Sequence, residues 1–150
     1  MERMLDVAHW FLGKSAMSHK KLQKLCYYAQ AWYCALKDEN GIFEDEIQAW
    51  VHGPVVVNLY PLYADFGWNP IQQMEFDDSV LQEDSKEILE AVYETYGGFS
   101  GDQLETLSHS EDPWIQARGN LKPWEPGNSV ITHKAMKDYY SRLFKDYQNV

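Results

Sequence analysis

The residues of this 150-residue chain best suited to chemistry are five histidines, two cysteines and a surplus of carboxylates. His9, His19, His52, His109 and His133 are scattered, with no His-x-x-x-His pair and no cysteine frame around them, so no zinc site is expected. No glycine-rich phosphate loop and no G-x-S-x-G elbow occurs either. Cys26 and Cys34 lie on one predicted helix, about 12 Å apart along its axis at ~1.5 Å per residue. A disulfide needs Cα atoms within about 7 Å, so the two cannot pair with each other. On an apolar stripe neither thiol is activated, and both read as small core hydrophobes of a reducing compartment. His109 with Glu111 and Asp112 is the best acid–base candidate, because an imidazole beside carboxylates can relay a proton. A small hydrolase built around His109 is therefore one reading; a capping and packing role for the SHSEDPW turn is the other, and the weightier.

Charge excludes more than it suggests. The chain carries −10, and the charge is segregated: residues 38–112 hold eighteen Asp and Glu against the single base Lys86, while the remainder is net positive. Nucleic acid is disfavoured as a partner, since phosphate binding needs a basic footprint and the pI is about 4.8. An acidic stretch serves solubility, or it docks a basic protein, and Glu44, Glu46, Asp77 and Asp78 are its candidate contacts. The basic cluster Lys14, His19, Lys20, Lys21 and Lys24 reads as a solvated helix face. No apolar run approaches the roughly 18–20 residues that span a bilayer. The first residues mix charges with apolar side chains, unlike a signal peptide, so a cytoplasmic protein without a membrane partner is expected.

These residues must be positioned by a mostly helical frame. Met4 to Leu12 predicts a first helix stopped by Gly13, and Ser18 is placed to cap a second. In that second helix Leu22, Leu25, Cys26, Ala29, Tyr33 and Leu36 recur at helical spacing, which makes it the central helix of the core and leaves Lys21 and Gln23 off the stripe. Phe43 to Val51 alternates as a half-buried strand, with Gln72 to Phe76 as its expected mate. The run IQAWVHGPVVVNLY at 47–60 predicts a strand-to-helix corner: Gly53 supplies a backbone conformation closed to other residues, and Pro54 suits a first helical position. Asp84 with Glu87, and Ser100 with Gln103, read as capping boxes. Asp112-Pro113 reads as a cap followed by proline at the first helical position, Gly119 closes that helix, and Thr132 caps a last one. The fold expected is mainly α, a helical bundle with a minor β strand or hairpin element, in one domain over residues 1–150.

Aromatic residues make up 15% of the chain. Most belong to the core, but Trp50, Trp68, Trp114 and Trp124 fall at loops or corners, where large apolar side chains mark interfaces. Trp50 and Trp114, with the neighbouring His52 and His109, complete the candidate partner-binding residues, and Gly53, Pro54 and Pro113 the structural motif.

Several blocks then stand in one order: DVAHWFL, KLQKLCYYAQAW at 21–32, Phe43 and Glu46 before IQAW, GPVV, LSHSEDPW and ITHKAMKDYY. Together they resemble the Panacea domain, the family of SocA-like antitoxins and prophage-associated proteins of bacterial toxin–antitoxin operons, from Leu5 to about Leu143. The resemblance implies a cytoplasmic, non-enzymatic binding protein without cofactor or metal, the antitoxin of a type II system that neutralises a cognate protein toxin by direct contact. Its alternative is an adaptor that delivers the toxin to a protease. A basic toxin fits the acidic stretch.

Overall fold

In the computed structural model, which describes residues 1–149, the chain runs α1 (Met4–Lys14), α2 (His19–Leu36), β1 (Ile47–Trp50), β2 (Gly53–Val56), α3 (Tyr60–Tyr63), α4 (Glu83–Tyr96), α5 (Gly101–His109), α6 (Asp112–Arg118) and α7 (His133–Gln148). The architecture is mainly α with one antiparallel hairpin, as expected. Helix α2 is its axis. Ser18 caps it by accepting from Lys21 N at 3.1 Å, and α1, α4, α5, α7 and β2 all pack on it. Being enclosed from so many sides, α2 buries twelve of its eighteen residues, so the apolar stripe of Leu22, Leu25, Cys26 and Ala29 is only part of its interior. Leu36, at the end of that stripe, is exposed instead.

One buried polar network ties the bundle together. The Glu111 carboxylate accepts from the Tyr28 hydroxyl at 2.7 Å and the Tyr140 hydroxyl at 2.9 Å, which joins α2 and α7 to the turn before α6. Tyr28 stacks on Tyr96 of α4 with centroids 4.0 Å apart, and Trp32 Nε1 donates to the Tyr96 hydroxyl at 2.9 Å. Each buried polar atom here has a partner, the condition on which a polar core group adds stability rather than subtracting it.

The corner at 47–60 departs from expectation. Trp50 pairs with Gly53 and Ile47 with Val56, so Val51 and His52 form a tight two-residue turn, and the chain continues as a strand until Val56. Gly53 adopts φ +109°, and a Cβ there would lie 2.9 Å from Lys24 Cε. The expected conformational demand on Gly53 is therefore real, but it serves a hairpin. Pro54 does not open a helix; it sits opposite Ala49 on the edge strand, where a missing N–H breaks no ladder bond. β-Branched Val55, Val56 and Val57 favour the extended form, which is the local reason the helix waits until Tyr60.

The outer edge of β2 is covered by side chains of α2. Gln23 donates to Val56 O at 3.1 Å and accepts from Val56 N at 2.7 Å, while Lys24 Nζ donates to Pro54 O at 3.1 Å. On the other side, β1 pairs with the segment around Val130 through Ala49 N to Ser129 O and Ile131 N to Ile47 O, both 2.9 Å. That segment takes the place expected for Gln72 to Phe76, which forms no strand; Ile71 beside it makes a single bridge to Met17.

Smaller corrections concern caps. Helix α1 continues through Gly13 to Lys14. Asp84 and Glu87 form no capping box, since α4 begins at Glu83; both carboxylates reach Lys37, just past the end of α2, instead, at 3.6 and 2.9 Å. Asp112 lies inside α6 and pairs with Arg142, while Glu111 occupies the cap position with its side chain turned into the tyrosine network. Pro113 does sit in the first turn of α6, Gly119 ends it at φ +58°, and the Ser100–Gln103 box and the Thr132 cap form as expected.

Candidate functional site

The hairpin tip, the starts of α2 and α5 and the segment 60–68 enclose a cleft of about 710 Å³. Its two helix starts lie against each other because Gly101 has no side chain: a Cβ there would lie 3.0 Å from Lys21 N. The positive ends of both helices therefore face one space, with Ser18 and His19 from one and Ser100 and Gly101 from the other in its wall. The remaining wall is largely aromatic and aliphatic, from Trp50, Val51, Val55, Tyr60 and Trp68. Tyr60 packs between His19 and Trp50, at centroid distances of 5.1 and 4.9 Å.

The buried part of the wall carries two polar groups with capacity to spare. Lys24 is 2% exposed, and of its three ammonium donors one has an acceptor, Pro54 O. Burial holds its pKa down at about 7, with Lys20 adding to the depression and Glu105 opposing it. His19 is 7% exposed and its Nε2 has no partner. Burial, and then the charge of Lys24, lower its pKa. The expected solvated basic face is thus corrected at these two residues: tertiary packing closes over the start of α2 and encloses them. Lys20 at the rim differs, since Asp102 at 2.9 Å and Glu105 at 2.7 Å outweigh its partial burial and raise its pKa. Glu105 also takes His52 Nδ1 at 3.3 Å, and these two bonds overcome burial to keep its own pKa low.

The candidate residues fall into two groups. Trp50 and His52 line the cleft; Gly53 and Pro54 lie beneath it. Trp114 and His109 support it from behind: Trp114 Nε1 donates to Trp50 O at 2.9 Å, and the His109 ring stacks on the Trp114 indole at 3.9 Å. By contrast Glu44, Glu46, Asp77 and Asp78 are exposed and none of them lines the cleft. Glu46 accepts from Gln48 at 2.8 Å, Asp77 caps Ser79 N at 3.0 Å, and Glu44 borders a separate depression of about 420 Å³ beside the first residues of the chain.

The acid–base trio is dispersed. His109 Nε2 is buried without a partner behind the hairpin, Glu111 is engaged by tyrosines, and Asp112 pairs with Arg142 at 3.4 Å. Burial lowers the pKa of His109 and raises that of Glu111. Among the described residues no group of three or more His, Cys, Asp or Glu is placed to hold a metal ion, and no helix is long and apolar enough to cross a membrane.

Sequence reasoning passed over Gln23, Lys24 and His19 as site residues. The signal available was their position on a helix whose apolar stripe already made it central, so polar residues beside that stripe also had neighbours to meet. No curated protein and no solved structure matches the chain. The family model described as Antitoxin SocA-like, Panacea domain matches residues 22–115, a span that contains most of α2, the hairpin, the aromatic segment 60–68, α4, α5 and the start of α6. With more than half of its length matched, and with the hairpin, the segment 60–68 and the start of α5 inside the match, this chain belongs to the SocA-like antitoxin, Panacea domain family.

Proposed function

We propose that this chain is the antitoxin of a type II toxin–antitoxin system and neutralises a cognate protein toxin by direct, stoichiometric binding in the cytoplasm, its 150 residues acting as one domain. Family membership carries the reading. The surface beside the cleft supports a protein partner: Tyr60, Leu62, Phe66 and Trp68 follow one another along one short segment with exposures of 41, 51, 38 and 86%. Tyr60 and Trp68 also line the cleft, and exposed apolar side chains beside it gain when a partner removes them from water, at roughly 25 cal/mol per Å² of apolar surface. A basic toxin is favoured by the net charge of −10, which would steer its approach.

The test is co-expression with the product of the neighbouring gene, followed by affinity capture and a growth assay. A soluble complex of the two proteins together with restored growth is expected, in hosts with and without the major energy-dependent proteases. Rescue that disappears in the protease-deficient host, with the toxin otherwise degraded, would replace neutralisation by adaptor delivery. Turnover of the toxin or its product, abolished by His109→Ala in a variant that still binds, would return the hydrolase reading.

A further inference from the structure

The bottom of the cleft presents polar atoms that the folded chain leaves short of partners. Lys24 Nζ has one acceptor and His19 Nε2 has none, although both side chains are more than nine-tenths buried. The acids nearby do not complete them: Asp102 and Glu105 are taken up by Lys20, and Glu105 also by His52. The starts of α2 and α5 add two positive helix ends to the same wall. A buried ammonium with one carbonyl partner is an expensive arrangement in isolation, and a neighbouring carboxylate is the group that would relieve it.

We propose that this cleft is a carboxylate-binding pocket, and that its occupant is one acidic side chain of the bound partner, presented among apolar residues and held by Lys24 and His19. The proposal rests on the direct-binding reading above. The occupant is assigned to the partner because Tyr60 and Trp68 belong both to the cleft wall and to the exposed aromatic segment, so a surface covering that segment extends a side chain into the cleft. Its apolar body would lie against Trp50, Val55 and Tyr60. The partner would then be basic over most of its contact surface, with one acid at the anchor point.

The groups facing Lys24 are His19 and Lys20 on its own helix and Glu105 and His109 on α5, with His52 of the hairpin paired to Glu105. Among them Lys24 loses its charge near neutral pH, so carboxylate binding should weaken as pH rises above about 7 and should be accompanied by proton uptake.

The test uses three small probes of similar shape, phenylacetate, phenylacetamide and benzylamine, titrated into the purified chain and followed by amide NMR shifts and calorimetry. Phenylacetate is expected to move the amides of Ser18–Lys24 and Ser100–Asp102, to take up a proton near neutral pH, and to slow capture of the co-expressed toxin. Lys24→Met should abolish binding, and His19→Ala, which keeps the ammonium, should weaken it several-fold if the first variant does not fold. Equal response to phenylacetamide, preference for benzylamine, or retained binding in Lys24→Met would overturn the pocket. Phenylacetate binding without competition against the toxin would overturn the partner side chain as its occupant. Because the probe titration needs no toxin, a positive titration beside an absent toxin complex rejects the proposed function and not the pocket's chemistry.

Discussion

Glu111 and Lys24 are both buried ionisable groups, one bonded to α2 from where α6 begins and the other carried by α2 under the hairpin, and they are completed to different degrees. Glu111 receives two tyrosine hydroxyls at 2.7 and 2.9 Å inside a closed aromatic cluster. Lys24 has a single carbonyl at 3.1 Å and opens on a cleft. A satisfied buried network specifies a fold; an incompletely satisfied one is retained when something else requires it. The tyrosine cluster is thus read as scaffold and the hairpin cleft as the working surface.

The largest effect should come from breaking the completed network. Glu111→Ala orphans the Tyr28 hydroxyl in a closed interior, at about 1–3 kcal/mol, and takes one partner from Tyr140, which keeps the Tyr27 hydroxyl at 3.0 Å; with the emptied space added, chemical denaturation should report the largest loss of the series. Next is Gly53→Val, which places a side chain at φ +109° and against Lys24 Cε, with strain of about 1–3 kcal/mol before any clash. Parent-like melting of that variant would show that the hairpin turn is not held as described. Gln23→Ala should follow closely, because it uncovers both backbone groups of Val56 at the sheet edge; Lys21→Ala, whose amine reaches only Gly97 O, should cost less.

A gentler comparison uses pH. Glu111 is raised above the usual carboxyl value, so the folded state binds its proton more tightly, and the stability this adds is present at low pH and lost as pH rises through the raised value. Lys24 is lowered from 10.5 to about 7, so its contribution is fully present above pH 10.5 and lost as pH falls toward 7. Unfolding free energy measured against pH should rise between about 7 and 10.5, and Lys24→Met should flatten that rise while leaving the acidic limb unchanged. The smallest structural effect belongs to the exposed acids: neutralising Glu44, Glu46, Asp77 and Asp78 together should leave the melting temperature nearly unchanged. Their effect should appear in a slower, less salt-sensitive association with a basic toxin.

The same contrast explains what could be read from the chain before its structure. Caps with local mechanisms, such as Ser18, Ser100 with Gln103, and Thr132, form as expected because the bonds they make lie within three residues. The apolar stripe of α2 located the core. Periodicity could not show that α2 is enclosed on nearly every side, and so it left Gln23 and Lys24 with the solvated residues when they in fact cover the edge of β2. The hairpin was misread for a related reason. Gly-Pro is compatible with a helix start and with an edge strand, and the strand is held in part by the Gln23 and Lys24 side chains, thirty or more positions away. Of the candidate site, the aromatic and hairpin residues were legible because their types are unusual at corners. The acidic residues were legible only as a total, since charge count carries no position.

The central claim is that the chain acts by binding a toxin at the cleft face. It is tested most directly by pairing Trp68→Ser with Leu62→Ser, both on exposed side chains, and measuring toxin capture and growth rescue beside melting temperature. The account predicts an unchanged melting temperature with capture and rescue both lost. Rescue and capture equal to the parent's would contradict it.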